Sequence, residues 1–220
     1  MKKKEIIAAK TGPSAFNVYC KRVVELDKEE VKQANKSRKF LEEQVKKLSK
    51  QEHPFPKLSG KCKSFGSFHR NTKVRPLDDI DMLVLLKAKN INPISRSGYH
   101  RYQIPLGEDS LSWWINEQAN YLNSRKLINR FKKRLKDIHY YKKSELRRNG
   151  TAMVLTLKKR PWVFDLVPAF LIQQYGNSYY LIPDGAGNWM STDPRRDKQF
   201  LSKVNKRHNG KLIPIIRLLK

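Results

Sequence analysis

Asp79 and Asp81 stand two residues apart at the head of the apolar run Met82-Leu83-Val84-Leu85-Leu86. Alternate side chains of a strand share a face, so the two carboxylates point the same way while Ile80 turns into the core. Asp78 points away from them or lies in the preceding turn. Two carboxylates on one face repel each other unless a cation neutralises them. Hard oxygen donors of this kind suit Mg²⁺, which keeps water and substrate phosphates in its shell; Mn²⁺ is the alternative. A third ligand is available in Asp165, an acid isolated within Trp162-Val163-Phe164-Asp165-Leu166-Val167, because a buried unpaired carboxylate is expensive. If that strand lies beside 79–86, the three acids converge. Such a trio can hold two Mg²⁺ ions about 3.5–4 Å apart, one at an attacking hydroxyl and one on a triphosphate. Gly66-Ser67 precedes the Asp-x-Asp by about a dozen residues. A glycine lets backbone approach phosphate oxygens, the free N–H groups of a helix opening there favour an anion, and the Ser67 hydroxyl can bond the β- or γ-phosphate. Either pair alone is a weak signal. Their order, followed by a distant strand aspartate, is a specific one.

These residues need a turn, two neighbouring strands and a scaffold behind them. Residues 79–86 read as a central strand, because the second half is continuously apolar. A short strand over 60–65 feeds the Gly-Ser turn. Ala152–Leu157 and Trp162–Val167 read as a hairpin joined by the basic loop Lys158-Lys159-Arg160-Pro161. Ahead of them, Ser14 is the expected N-cap of one long helix or two consecutive ones, with an apolar stripe from Phe16 to Leu48. Pro54 and Pro56 break it. Further helices are expected over 111–122, carrying Trp113-Trp114, and from Leu127 to Leu135. A strand is expected at 178–182, a turn at 183–187 and a short helix at 198–204. Trp189 and Pro194 frame a turn, and Asp193 is a candidate cap for the helix after it.

The 220 residues carry 47 Lys+Arg against 20 Asp+Glu, a formal charge of +27. That repulsion disfavours a compact state unless an anion shares it, so nucleic acid, nucleotides or an anionic membrane are the candidate partners. No apolar run approaches the length of a membrane span, and Ile6-Ile7-Ala8-Ala9 is too short for a signal segment. The two cysteines, Cys20 and Cys62, form neither a disulfide framework nor a metal cluster. Reduced thiols in a cytoplasm are the simplest account of them.

At the chemistry-bearing residues the chain resembles the DNA polymerase β-like nucleotidyltransferases. Among these it is most similar to the bacterial cyclic-oligonucleotide synthases (CD-NTases, SMODS-type) of anti-phage CBASS signalling, relatives of animal cyclic GMP–AMP synthase and oligoadenylate synthase. The resemblance rests on Gly66-Ser67-Phe68-His69-Arg70-Asn71-Thr72, on Asp79-Ile80-Asp81 and on Phe164-Asp165-Leu166-Val167-Pro168-Ala169-Phe170. It extends to Tyr180-Leu181-Ile182-Pro183 and Trp189-Met190-Ser191-Thr192-Asp193-Pro194. It implies an α+β fold: a mixed sheet flanked by helices, behind a long N-terminal helix. The implied division is a basic tail (1–13), a nucleotidyltransferase domain (14–210) and the first helix of a C-terminal lobe (211–220), the rest of that lobe being truncated. It implies that Gly66 and Ser67 hold a donor triphosphate from ATP or another NTP. Asp79 and Asp81 would ligate both metals, and Asp165 would ligate the catalytic metal and help activate the acceptor hydroxyl. Attack on the α-phosphate would release pyrophosphate, and a second round would close a ring.

The densest basic region runs from Arg125 to Arg148. Its cations Arg125, Lys126, Arg130, Lys132, Lys133, Arg134 and Lys136 fall on a helical pattern and are interleaved with Phe131, Tyr140 and Tyr141. Helical cations on one side could follow a phosphate backbone. By resemblance to nucleic-acid-activated relatives, double-stranded RNA is the candidate activator; a solvated basic face is the plain alternative. Two rival functions remain open at this point. One is a transferase that adds nucleotides to RNA or protein, and the other is a catalytically idle RNA-binding fragment.

Overall fold

Two consecutive helices, not one, carry the N-terminal apolar stripe. A computed structural model describes residues 11–50, 56–60, 62–87, 91–96, 101–105, 120–174 and 176–220. The basic tail up to residue 10, residues 51–55 and most of the expected 111–122 helix, with its tryptophan pair, lie outside these. Helix α1 (Gly12–Tyr19) starts earlier than Ser14. Thr11 is its N-cap, and the Ser14 side chain returns the bond to the Thr11 N–H in a reciprocal capping box. A π-helical turn (Cys20–Val24) and an extended break follow. Asp27 then caps α2 (Lys28–Ser49) by accepting from the Glu29 and Glu30 N–H groups, and Ala34, Leu41, Val45 and Leu48 line its buried stripe.

Among the described residues nine strands form one mixed sheet. They are β1 (Lys63–Ser64), β2 (Asp79–Leu85), β3 (Ile94–Arg96), β4 (Arg101–Gln103), β5 (Glu145–Asn149), β6 (Ala152–Thr156), β7 (Val163–Gln174), β8 (Asn177–Pro183) and β9 (Trp189–Thr192). Their order is β1-β2-β7-β8-β9-β4-β3, with β6 and β5 branching from β7. Strand β2 is paired on both sides, antiparallel to β1 and parallel to β7. The remaining pairings are antiparallel, including the expected β6–β7 hairpin.

The long β7 contains Pro168, which has no N–H to give a ladder. Its position removes the conflict. On the edge away from β2, β7 pairs with β6 up to Leu166 and with β8 from Phe170 onward. Pro168 falls between these two partners.

The sheet buries both faces. On one side Ile80, Met82, Val84, Phe164 and Leu166 join α2 and helix α4 (Ser124–Leu135) in the main core. On the other, Leu83, Leu85, Val167, Ala169 and Tyr180 form a smaller cluster. Helix α4 is capped by Asn123, which accepts from the Lys126 N–H, and buries Leu127, Ile128, Phe131 and Leu135. Phe131 is therefore a core residue, not part of a nucleic-acid face. The basic helix ends at Leu135; a 3-10 turn (His139–Tyr141) follows, and Arg147 and Arg148 sit on strand β5.

Trp189 is fully buried and donates its indole N–H to the Leu122 carbonyl at 2.9 Å. Helix α5 (Pro194–Arg207) is longer than the expected 198–204. Proline occupies its first turn, where no N–H is needed, and Asp193 caps it by accepting from the Arg195 N–H. Helix α6 (Leu212–Leu218) follows. Its Arg217 donates to the Asn71 carbonyl at 2.8 Å, tying the last helix to the loop after the Gly-Ser turn.

Candidate active site

Parallel pairing sets Asp81 directly beside Asp165 and Asp79 beside Val163. Side chains paired across a ladder share a face, so all three carboxylates look out of the same side of the sheet. They precede Leu83, Leu85, Val167 and Ala169, which continue that face as apolar surface. The change from acid to hydrocarbon along each strand confines the carboxylates to one end of the sheet.

Above them, Phe65 donates its N–H to the Asp81 carbonyl at 3.3 Å and leads into the short helix α3 (Gly66–His69). Gly66 has φ +72 and stands so close to Asp81 that a Cβ there would lie 1.7 Å from Oδ2 and 2.5 Å from Cγ. Only a glycine fits this turn against that carboxylate. Ser67 follows in the helix, and its carbonyl accepts from the Thr72 N–H at 2.9 Å. The loop thus closes on itself below Ser67, with Asn71 in the left-handed region.

Burial shapes the charge states. Asp81 is pushed up to about 6, chiefly by burial and then by Asp79 and Asp165. Burial, then Asp79, also raises Asp165. Asp79 is raised by burial and by its contact with Asp78. Against this acidity stands Lys73, whose ammonium bonds both Asp78 and Asp79. Burial alone would lower Lys73, but the bonds to the two aspartates outweigh it and the amine is raised. Sequence reasoning missed Lys73, which lies six residues before Asp79 in an unpatterned loop and reads there as one lysine among many. It placed Asp78 away from the pair or in the turn; Asp78 is exposed, but its side chain both bonds Lys73 and contacts Asp79 directly.

The donor set has the chemistry of a hard divalent cation: carboxylate oxygens only, with Asp165 Oδ1 buried and lacking any hydrogen-bond partner. An orphaned oxygen facing two other carboxylates is satisfied by a cation. Among the described residues no three acidic, His or Cys side chains converge closely enough to enclose an ion. Lys73 supplies the neutralising charge in this arrangement.

The expected cations of 125–136 are not gathered here. They lie on α4, in the layer on the opposite side of the sheet. Arg125 donates to the Gly185 carbonyl at 2.8 Å and Arg134 pairs with Asp137 at 2.6 Å, while Arg125, Lys126, Lys133 and Lys136 are exposed. His69 is partly buried and lowered, first by burial and then by Lys198. Cys20 and Cys62 are both buried free thiols. No helix among the described residues is long and apolar enough to cross a membrane.

No protein-family model matches the chain. It is 39% identical over 215 residues to a protein of Bacillus cereus (strain VD146) named "probable cyclic nucleotide synthase", covering 96% of this chain and 65% of that relative. The chain thus spans less than two thirds of that protein's length. Its structure is similar to CdnC of Escherichia coli MS115-1 solved with ATP (TM-score 0.62, 14% identity, 93% of this chain and 55% of that one). It is equally similar to CdnC in complex with a HORMA protein (TM-score 0.61, 15% identity, 91% and 53%). These likenesses show the fold: the mixed-sheet, polymerase β-like architecture expected from the sequence.

Proposed function

We propose, from its likeness in sequence to a probable cyclic nucleotide synthase and in fold to CdnC, that this chain is a CD-NTase-like nucleotidyltransferase domain that joins NTPs, ATP among them, into cyclic di- or oligonucleotides. One observation carries the reading: two acidic strands run parallel in a register that sets Asp81 against Asp165 beneath the Gly66 turn. A scaffold role alone would not sustain three carboxylates, one with an unpartnered buried oxygen, on one face.

Asp79, Asp81 and Asp165 would hold Mg²⁺, or Mn²⁺, which when bound lowers the pKa of an attacking hydroxyl and neutralises developing phosphate charge. Gly66 lets the turn close against Asp81, and Ser67 would offer its hydroxyl to a triphosphate as a donor. Asp165 would also help activate an acceptor ribose hydroxyl. Lys73 would release Asp79 as that carboxylate turns to a metal and keep its bond to exposed Asp78. Phosphoryl transfer of this kind is mostly positioning and electrostatics, which suits a site built from rigid strands and one tight turn. The exposed cations of α4 support double-stranded RNA as an activating ligand, and the CD-NTase kinship supports a role in anti-phage signalling.

The test is incubation with each labelled NTP and Mg²⁺, with and without duplex RNA, followed by phosphatase and chromatography. A phosphatase-resistant cyclic product is expected. Label carried on RNA or protein would instead make the chain a modifying transferase, and no product with RNA bound would leave a binding protein. Combined Asp79→Asn and Asp81→Asn should lower product more than about 100-fold with RNA affinity unchanged.

A further inference from the structure

On the helix-covered side of the sheet, away from the carboxylates, α2, the His139–Tyr141 turn and the β6–β7 hairpin loop enclose a groove of about 580 Å³. Strand alternation fixes the side. Leu155 and Phe164, paired across the hairpin, belong to the main core there, whereas Asp165 faces the other way. The groove is separate from the site already described.

Its walls combine two chemistries. Lys36 from α2, Lys143 after the turn, and Lys158, Lys159 and Arg160 from the hairpin supply positive charge, and among the described residues no acidic side chain lines it. Phe40 and Tyr140 supply aromatic surface, 38% and 65% exposed. Tyr140 is held in place. The Phe40 ring meets it at 4.9 Å and 85°, and the His139 ring at 5.9 Å and 83°. Arg160 is fixed by Gln33 at 2.9 Å and lies over the Trp162 ring. A solvated basic face has no use for an exposed tyrosine braced by two rings. A volume of this size is typical of a small-ligand cleft.

We propose that this groove binds an unpaired nucleotide, with the base stacked on Tyr140 and its phosphates on Lys143, Lys158 and Lys159. Stacking on an aromatic ring needs a base whose face is free, as in a single strand or a free nucleotide; in a duplex those faces are already covered. Charge alone would accept duplex and single strand alike, so Tyr140 gives the groove its selectivity. The assignment does not depend on the carboxylate site or on any catalytic activity of the chain.

Fluorescence anisotropy with a labelled hexaribonucleotide tests it, in the Asp79→Asn, Asp81→Asn background so that nucleotide held by the carboxylates does not contribute. Tyr140→Ala should weaken binding about 10-fold, Tyr140→Phe should retain it, and Lys143→Glu with Lys158→Glu should weaken it further. Affinity for a duplex of the same sequence should be indifferent to Tyr140→Ala. Tyr140, Lys143 and Lys158 are at exposed positions, and circular dichroism checks that each variant is folded. Displacement by ADP would identify free nucleotide as the occupant, and displacement only by single strands would identify the strand. The proposal is overturned if Tyr140→Ala binds the hexanucleotide as wild type does, or if Tyr140→Ala weakens duplex binding as much as single-strand binding.

Discussion

At Asp81 the cost of the site can be read as a pH dependence. The unfolded carboxyl titrates near 3.9, whereas in the folded chain it is pushed up to about 6. The folded state therefore holds a proton that the unfolded chain has released. Linkage makes this group's contribution fall as pH rises from about 4 to about 6 and stay flat above. Without divalent ions, Asp81→Asn should be more stable than wild type at pH 7.5, by no more than about 3 kcal/mol, and the gap should close near pH 4. Urea denaturation at both pH values measures it; a pH-independent gap would refute the assignment. Gly66→Ala should cost about 2–4 kcal/mol, from the clash with Asp81 and the positive φ. Pairing it with Asp81→Ala should recover part of that loss, because the clashing atoms leave. The pair Asp79 and Asp81 was legible because strand period is two, and Asp165 because an acid amid Phe164, Leu166 and Val167 needs a reason. Lys73 was not, since a contact made by a loop has no period.

Elements were legible where period and caps agree. The β6–β7 hairpin and the turn at 183–187 follow from alternation and turn residues. Helix α5 outran its expected bounds because its charged surface hides the pattern, while Asp193 and Pro194 mark its true start. Residues 142–148, just beyond the expected basic helix, showed only charge, and Leu146 is the buried residue that makes Glu145–Asn149 a strand. Asp193 joins several of these elements: it caps α5 and binds Arg195, which reaches the Ser178 carbonyl at 2.7 Å and lies over Tyr180. Asp193→Ala should lower stability by about 1–2 kcal/mol, with Asp193→Asn closer to wild type because it still caps. Thermal denaturation distinguishes the two. Equal losses would place the effect in the charge pair rather than the cap.

Over the whole molecule, a formal charge of +27 opposes compaction. Raising salt from about 50 to 300 mM shortens the screening length and should raise the melting temperature by several degrees. A melting temperature that fell would mean that attractive pairs outweigh the repulsion. The mixed α+β architecture was implied by the resemblance, while β2, β7 and the N-terminal helical stripe were visible in the sequence pattern. The groove around Tyr140 was not, because it joins Phe40, Tyr140 and Lys158 from three distant segments.

The parallel pairing of β2 with β7 also bears on how the chain reaches this structure. Strands β5 to β9 are antiparallel neighbours in sequence and can zip locally, whereas Asp81 and Asp165 are about eighty residues apart and meet only by long-range closure, a slow event. The repulsion between carboxylates is thus concentrated at the step that joins the two halves of the sheet. Folding of the metal-free chain should be slower above pH 6 than below it, and Asp81→Asn should remove the difference in stopped-flow refolding.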